Sequence, residues 1–514
     1  LECRDVKESL SLRLSAPGKP IEYTLAENVD SLLSSDGCAQ FRCSLNHLQD
    51  RAFDGIWSPG IVLDFGKVHM GYFEIDIEGT EGAFVEIGYV ERLTNGYFNN
   101  SIQVPNADRY ALRNGRQTFR CINPKTYRYV KIRFMRSFDT VKLYGARGIS
   151  CGYPYENKGG FTASDATLEK CFEISRRTIQ LCSFDMFTDS PWRENAQWLG
   201  DISAVTLGGV YACFGDSDSQ AKFLRQAMEV MMPNGLLSQH VAGFYAGGAN
   251  SREYYRILAT YSLWWVYALW NHYQYTGDRS FIDEGYPMVT RIIQFHLKHI
   301  SKQGIITGLS DWTFFCHIFK ENRKGHESAL YTAFFHGISK LVQQMAELKN
   351  DCYMVEKLSH VRSVIKANFH DRFFDEKSGV YADCRDRNGE LKEYFSEHTN
   401  MGAILWDLCP EELTDSIVDK LYVTKEVDYW EATPFATKIV CEALEHCGRM
   451  DLAIDIIRER WGRRMVDQGM TSTSEEWNTS GSWRGENESY YGIYRSLSHA
   501  WSAAPAEFLI KNMI

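Results

Sequence analysis

The chain has 514 residues, 44% of them hydrophobic and 24% charged, a normal globular balance in a chain too long for one ordinary core. Its net charge is −10 and its lysines and arginines form no block, so neither nucleic acid nor an anionic membrane is expected as a partner. The longest strongly apolar run, residues 263–270, is too short to span a bilayer.

Short runs that alternate between apolar and polar residues fill the first part of the chain. Residues 60–65, 71–77 and 127–134 are clear examples, bounded by Gly, Asn or Pro. Period-two alternation is typical of half-buried antiparallel strands, and several such strands usually pack as two layers. We therefore predict a β-sandwich domain over residues 1–155.

Helical periodicity begins near residue 156 and continues to the end of the chain. The candidate helices lie near residues 164–184, 201–213, 217–232, 254–276, 279–300, 327–348, 352–370, 397–408, 411–421, 433–446, 450–461 and 496–511. Paired helices of this number predict a mainly α fold, with six hairpins closed into an (α/α)6 toroid over residues 156–514. An open helical solenoid is the alternative, but the sequence has no fixed repeat period.

The 14 cysteines occur singly, with no Cys-x-x-Cys pair and no zinc-finger spacing, so no metal site is predicted. Several fall in apolar helical patterns, which favours a reducing, cytoplasmic compartment. The chain begins with Leu rather than Met, so a removed signal peptide remains the alternative.

Several predicted connections are long, and they pair acids with tryptophans. Asp311 precedes Trp312, and Trp430 precedes Glu431. Acids can hold sugar hydroxyls, and indole rings can stack on sugar faces. Long loops on a rigid scaffold tend to carry function, and in a toroid they would gather at one mouth.

The first candidate site is a segment between two predicted helices, in which Pro191 ends the preceding helix. Its polar and aromatic residues include Asp189, Arg193, Glu194, Trp198 and Asp201. If this segment is helical, Glu194, Trp198 and Asp201 share one face. The alternative is a capped helix start with a solvated charged face, although such a face seldom carries tryptophan.

Two further motifs lie near the end of the chain. A hydroxyl-rich run leads into Glu475, Glu476 and Trp477, which fits either a functional acid or an ordinary helix N-terminus. Small residues surround His499 and Trp501 on the predicted terminal helix. A single histidine in such a setting is more often a satisfied core residue than a functional one.

Together these motifs resemble glycoside hydrolase family 78, the α-L-rhamnosidases. That family has an Asp-x-Pro-x-Arg segment leading into Glu, Trp and Asp, which is similar to residues 189–201. Its Thr-Thr-x-Trp-Glu-x-Trp motif resembles residues 472–477, with Ser474 in place of an aromatic residue. Its Ser-x-x-His-Ala-Trp-Ser-Ala-x-Pro segment resembles residues 496–505.

The resemblance implies an inverting glycoside hydrolase that removes terminal α-L-rhamnose from glycosides or oligosaccharides, without metal or cofactor. It assigns Glu194 as general acid and Glu475 as general base, with Glu476 and Glu431 as rivals for the base. Burial near other acids would keep Glu194 protonated, while Glu475 must be ionised. The substrate-binding residues that it implies are Asp189, Arg193, Trp198, Asp201, Asp311, Trp312, Trp477 and His499.

Two alternatives stay open. The same fold can act on a different α-linked sugar, or the chain can be a carbohydrate-binding relative that has lost catalysis. A carbohydrate is the expected partner in each case, and a homodimer is also left open.

Overall fold

The computed structural model describes residues 11–42, 59–93, 96–100, 106–136, 139–241, 258–309, 313–315, 325–477 and 495–513. Within these residues, strands dominate up to Gly152 and helices dominate from Ala166 onward. Each part has its own large hydrophobic core. At the boundary, Val68 and Met70 of the strand part pack against Leu181 of the helical part. The two parts therefore meet through direct apolar contact.

The strands of the first part form one antiparallel hydrogen-bonded network within the described residues. Their bounds are Ser11–Pro17, Lys19–Thr24, Ala26–Glu27, Ala39–Phe41, Gly60–Gly79, Phe84–Val90, Ala107–Ala111, Gly115–Arg120, Lys125–Met135 and Val141–Gly152. A short 3-10 helix, Val29–Leu33, lies among them. Pairings link non-consecutive strands such as Gly60–Gly79 and Val141–Gly152, so the sheet is not a simple meander.

The longest strand, Gly60–Gly79, joins two segments that the sequence pattern predicts as separate strands. Its pairing with Lys125–Met135 shifts register between Asp64 and His69, which marks a bulge. Gly66 lies in this stretch with a φ of 75°, a conformation that favours glycine. The bulge interrupts the alternation of side chains although the strand continues through it.

Helices occupy most of the second part. Their bounds are Ala166–Leu181, 199–214, Asp218–Glu229, Ala259–Thr276, Ser280–Leu297, Ala329–Lys349, Cys352–Phe373, Glu397–Leu405, 411–423, Pro434–His446, 450–466 and Ala504–Met513. Apart from the one that starts at Ala504, these agree with the predicted segments to within a few residues at their ends. No helix in the described ranges is both long and apolar enough to cross a lipid bilayer.

The predicted terminal helix, 496–511, begins later than expected. His499 has extended backbone angles, a short 3-10 turn follows at Ala500–Ser502, and the α-helix starts at Ala504. Pro505 is tolerated in the first turn of a helix but would break a longer one at this point. His499 therefore lies in an irregular segment, not on the helix.

Six of the helices contact one another in succession. They are 199–214, Ala259–Thr276, Ala329–Lys349, Glu397–Leu405, Pro434–His446 and Ala504–Met513. The last of them also packs against Leu207–Phe214, in the first. This contact brings together the segments that precede the first and the last of the six helices, which carry the candidate site residues.

Candidate active site

A cavity of about 220 Å³ lies between the candidate motifs. The predicted site residues that line it are Arg193, Glu194, Trp198, Asp201, Glu475 and His499. The other described lining residues are Gln239, Leu258, Tyr261, Phe314 and Trp501. The fold thus brings six of the ten predicted site residues to one place.

Arg193 connects the two glutamates assigned to catalysis. Its Nη2 atom lies 2.8 Å from Oε1 of Glu194 and 3.0 Å from Oε1 of Glu475. Since both contacts share one nitrogen, these two oxygens are no farther apart than the two distances combined. The carboxylates of residues distant in sequence therefore face each other across one guanidinium.

Glu475 is enclosed by groups that stabilise negative charge. Its side chain is 1% exposed, and Arg495 Nη1 donates to Oε1 at 2.5 Å. The backbone N–H of Ser496 donates to Oε2 at 3.1 Å. Two guanidiniums and one amide are charge-assisted donors, so they favour the ionised form of Glu475.

Glu194 is held differently, by an indole and one cation. Trp198 Nε1 donates to Oε2 of Glu194 at 2.5 Å. This contact does not come from a shared helical face, because the α-helix begins only at Leu199 and Asn195 has a left-handed φ of 50°. The loop therefore brings Glu194 and Trp198 together, whereas the sequence predicted that a helical turn would do so.

Asp189 lies beneath the cavity, not in its wall. It is 0% exposed, and its carboxyl accepts the Ala196 N–H at 3.0 Å and the Ser190 hydroxyl at 3.1 Å. Burial raises the pKa of Asp189 well above its ordinary value, and the charges of Glu194 and Asp201 add to the effect. Asp189 therefore tends to be neutral, and it organises the loop that carries Glu194.

Asp201 is oriented by two neighbours on other elements. The hydroxyl of Tyr261 donates to Oδ1 at 2.8 Å, and Nε2 of His499 lies 3.4 Å from Oδ2. The ring of His499 rests on Trp501 with centroids 4.3 Å apart. Asp201 and His499 thus form one polar wall of the cavity.

Trp477 does not line the cavity formed by the described residues. Its indole donates to the Ala432 carbonyl at 2.7 Å, and its ring packs edge-on against Trp461 with centroids 4.9 Å apart. The remaining two predicted residues, Asp311 and Trp312, lie outside the described residues.

The two rivals for the base have different surroundings. Glu431 forms a two-pronged ion pair with Arg464, with contacts of 2.5 and 3.0 Å. Glu476 is buried next to Glu475 but does not line the cavity. Among the three acids, only Glu475 reaches the cavity wall.

Two neighbours of the candidate residues, Tyr261 and Arg495, have no distinct signal in the sequence. Tyr261 lies in an apolar helical run, where its hydroxyl cannot be told from that of a core tyrosine. Arg495 immediately precedes the Ser-x-x-His segment, and only the fold shows that it contacts Glu475.

Two carboxylates that face each other across a small aromatic pocket are the arrangement by which many glycosidases work. Residues 156–513 match the model of the bacterial α-L-rhamnosidase six-hairpin glycosidase domain. Residues 58–146 match that of the bacterial α-L-rhamnosidase concanavalin-like domain. The chain therefore belongs to the bacterial α-L-rhamnosidase six-hairpin glycosidase family.

Curated relatives cover most of the chain at low identity. An α-L-rhamnosidase of Formosa agariphila is 23% identical in an alignment of length 435 that covers 79% of this chain and 43% of that protein. An α-L-rhamnosidase of Alteromonas sp. (strain LOR) is 21% identical in an alignment of length 462 that covers 85% of this chain and 47% of that protein. The chain thus spans less than half the length of these relatives.

Solved structures share the fold. The family 78 rhamnosidase of Bacillus sp. GL1 superposes with a TM-score of 0.79 at 23% identity, covering 89% of this chain and 46% of that one. The rhamnosidase of Klebsiella oxytoca, solved with rhamnose bound, gives 0.78 at 18% identity, covering 99% and 97%. At these identities, the likeness establishes the architecture alone.

Proposed function

We propose that the chain is an inverting glycoside hydrolase that removes terminal α-L-rhamnose from glycosides or oligosaccharides. The observation that carries this proposal is the contact of one Arg193 nitrogen with both Glu194 and Glu475. Family membership and the names of the relatives support the choice of rhamnose.

The size and lining of the cavity support a single terminal sugar. About 220 Å³ is smaller than the roughly 300–1,000 Å³ of pockets for drug-sized ligands. Asp201 and His499 offer polar atoms to sugar hydroxyls, and Trp198 offers a flat apolar face. Leu258 and Phe314 provide an apolar surface that suits the methyl group of a 6-deoxy sugar.

In the proposed reaction, Glu194 gives its proton to the glycosidic oxygen as the bond from that oxygen to C1 breaks. Glu475 takes a proton from a water molecule whose oxygen attacks C1 from the opposite face. The donors around Glu475 keep it ionised and suit it to this role.

Arg193 has a specific part in this scheme. Inverting enzymes hold their two carboxyl groups roughly 6.5–9.5 Å apart, with the attacking water between them. In this chain, one nitrogen of Arg193 lies between the nearest oxygens of Glu194 and Glu475. We propose that the incoming sugar draws Arg193 away from one carboxylate and opens the gap that the attacking water needs. Its guanidinium then donates to a sugar hydroxyl.

Glu475 is favoured over its rivals by its position. Glu431 is committed to its ion pair with Arg464, and Glu476 does not face the cavity. We further propose that the six successive helices close into an (α/α)6 toroid and that the strands form a β-sandwich, with a boundary near residue 155. The contact between Leu207–Phe214 and Ala504–Met513 supports the closed ring.

The test is the configuration of the first sugar released. With p-nitrophenyl α-L-rhamnoside, proton NMR should show β-rhamnose first, followed by slow mutarotation. Initial α-rhamnose would mean retention and would overturn the roles assigned here. Binding without release across a panel of α-linked glycosides would instead indicate a carbohydrate-binding protein.

A further inference from the structure

A buried acid of the strand part reaches into the helical part. Glu91 follows the strand Phe84–Val90, is 2% exposed, and lies outside the described cavity lining. Its Oε2 accepts the N–H of Leu497 at 2.6 Å, and its Oε1 accepts the hydroxyl of Ser498. Both partners belong to the irregular segment before the last helix.

The next residue reinforces this attachment. Nη2 of Arg92 donates to the carbonyl oxygen of Arg495 at 2.7 Å. Two consecutive residues of the strand part therefore hold three positions of the segment 495–498. This segment has little regular structure of its own to keep it in place.

The same segment supplies two of the groups that hold Glu475. The Arg495 guanidinium and the Ser496 N–H contact opposite oxygens of its carboxylate. Glu91 fixes the residues directly after Ser496, while Arg92 fixes the residue directly before it. Any shift of this short segment would move both donors relative to Glu475.

A buried carboxyl at this interface loses hydration free energy, which packing alone does not require. Burial raises the pKa of Glu91 to about 7, against the opposite effect of the Ser498 and Leu497 hydrogen bonds. An apolar residue of similar size would avoid the desolvation of a carboxyl. It would also leave the Leu497 N–H without this acceptor.

We propose that Glu91 is a positioning residue for Glu475, acting through the segment 495–498. This inference rests on the proposed role of Glu475 as general base. Glu91 thus takes part in catalysis without lining the described cavity, because it sets where the donors to the base lie.

The test compares Glu91→Ala with Glu91→Gln. Glutamine can still accept from Leu497 through its oxygen and donate to the Ser498 hydroxyl through its nitrogen, whereas alanine can do neither. We expect Glu91→Ala to lower kcat about tenfold or more while KM stays within about twofold, since small misplacements near the reacting groups are costly. Glu91→Gln should restore most of kcat.

The matched control is Glu86→Ala, on the same strand. Glu86 pairs with the exposed Arg109 on the neighbouring strand, so its loss should leave kcat unchanged. Ser498→Ala is the second variant, because it removes one Glu91 partner without emptying the interface. Ser498→Ala should lower kcat, as Glu91→Ala does.

All rates are measured below the melting temperature of each variant and per folded molecule. Full kcat in folded Glu91→Ala or Ser498→Ala, or a Glu91→Gln as impaired as Glu91→Ala, would overturn the positioning role. Glu475→Gln is measured in the same series. If that variant kept its activity, the assignment of the base would fail instead.

Discussion

Arg193 and Glu475 are 282 positions apart in the chain, yet Nη2 of Arg193 lies 3.0 and 3.1 Å from the two carboxylate oxygens of Glu475. The contact joins the loop after Ala166–Leu181 to the segment near the end of the helical part. The same nitrogen holds Glu194, so one cation spans the two acids to which opposite proton transfers are assigned.

Changing either glutamate to glutamine should lower turnover at least about a hundredfold without unfolding the protein. The two variants should differ in how they respond to the leaving group. Glu194→Gln should recover on a dinitrophenyl rhamnoside, which needs no proton, whereas Glu475→Gln should stay slow. Steady-state rates on a series of aryl rhamnosides measure this, with Glu431→Gln as the control. Equal responses of the two variants would contradict the assignment.

Arg193→Lys should lower kcat/KM by about tenfold or more, because an ammonium is a point charge and lacks the planar fork of a guanidinium. Arg463→Lys is the matched control, since Arg463 is exposed and forms an ion pair with Glu459, four residues earlier. The test compares kcat/KM of the two variants and the wild type on one aryl rhamnoside. Wild-type kinetics in Arg193→Lys would remove the bridging role.

Lys438 should be critical for stability rather than for chemistry. It is buried and lies 3.0 Å from Glu507 and 2.6 Å from Glu442. Lys438→Met should lower the free energy of unfolding by about 3 kcal/mol, because it removes the buried cation beside Glu507 and leaves that carboxylate to Tyr275 and the half-exposed Lys511. Adding Glu507→Gln should recover part of that loss. Urea titrations followed by circular dichroism test both expectations, and equal stability of Lys438→Met and the wild type would refute them.

Glu91 should make the stability depend on pH. Its folded pKa of about 7 lies above its ordinary value of 4.5, chiefly because of burial. The folded protein then binds the proton more tightly, so this contribution is fully present below pH 4.5 and is lost as the pH rises through 7. Relative to Glu91→Gln, the wild type should lose up to about 3 kcal/mol over this range. Denaturant unfolding at several pH values measures the difference, and parallel profiles would argue against it.

The helical layout could be predicted because its signal is local and repeated. Apolar residues recur with a period of 3.6 residues in each helix. Residues such as Thr433 and Pro434 indicate a helix start by themselves. The strand pairs Glu327–Ser328 with Cys384–Arg385 and Phe374–Asp375 with Val380–Tyr381 were not predicted. Two residues per strand are too few to show any alternation.

The candidate site could be predicted only where motif and resemblance coincide. Glu194, Asp201 and Glu475 stand at the motif positions, and the fold brings them together. The role proposed for Glu91 could not be predicted in this way. Its sequence context is that of an ordinary strand end, and its partner Leu497 is 406 positions away. Nothing within reach of Glu91 along the chain indicates that contact.

The packing of Leu207–Phe214 against Ala504–Met513 also bears on synthesis at the ribosome. The acid at position 194 emerges long before the carboxylate at position 475, and the helix Ala504–Met513 emerges after both. A nascent chain that has not yet reached position 475 would hold one half of the proposed catalytic pair and would be inert. The proposed activity would then arise only after Ala504–Met513 docks on Leu207–Phe214, which is made much earlier.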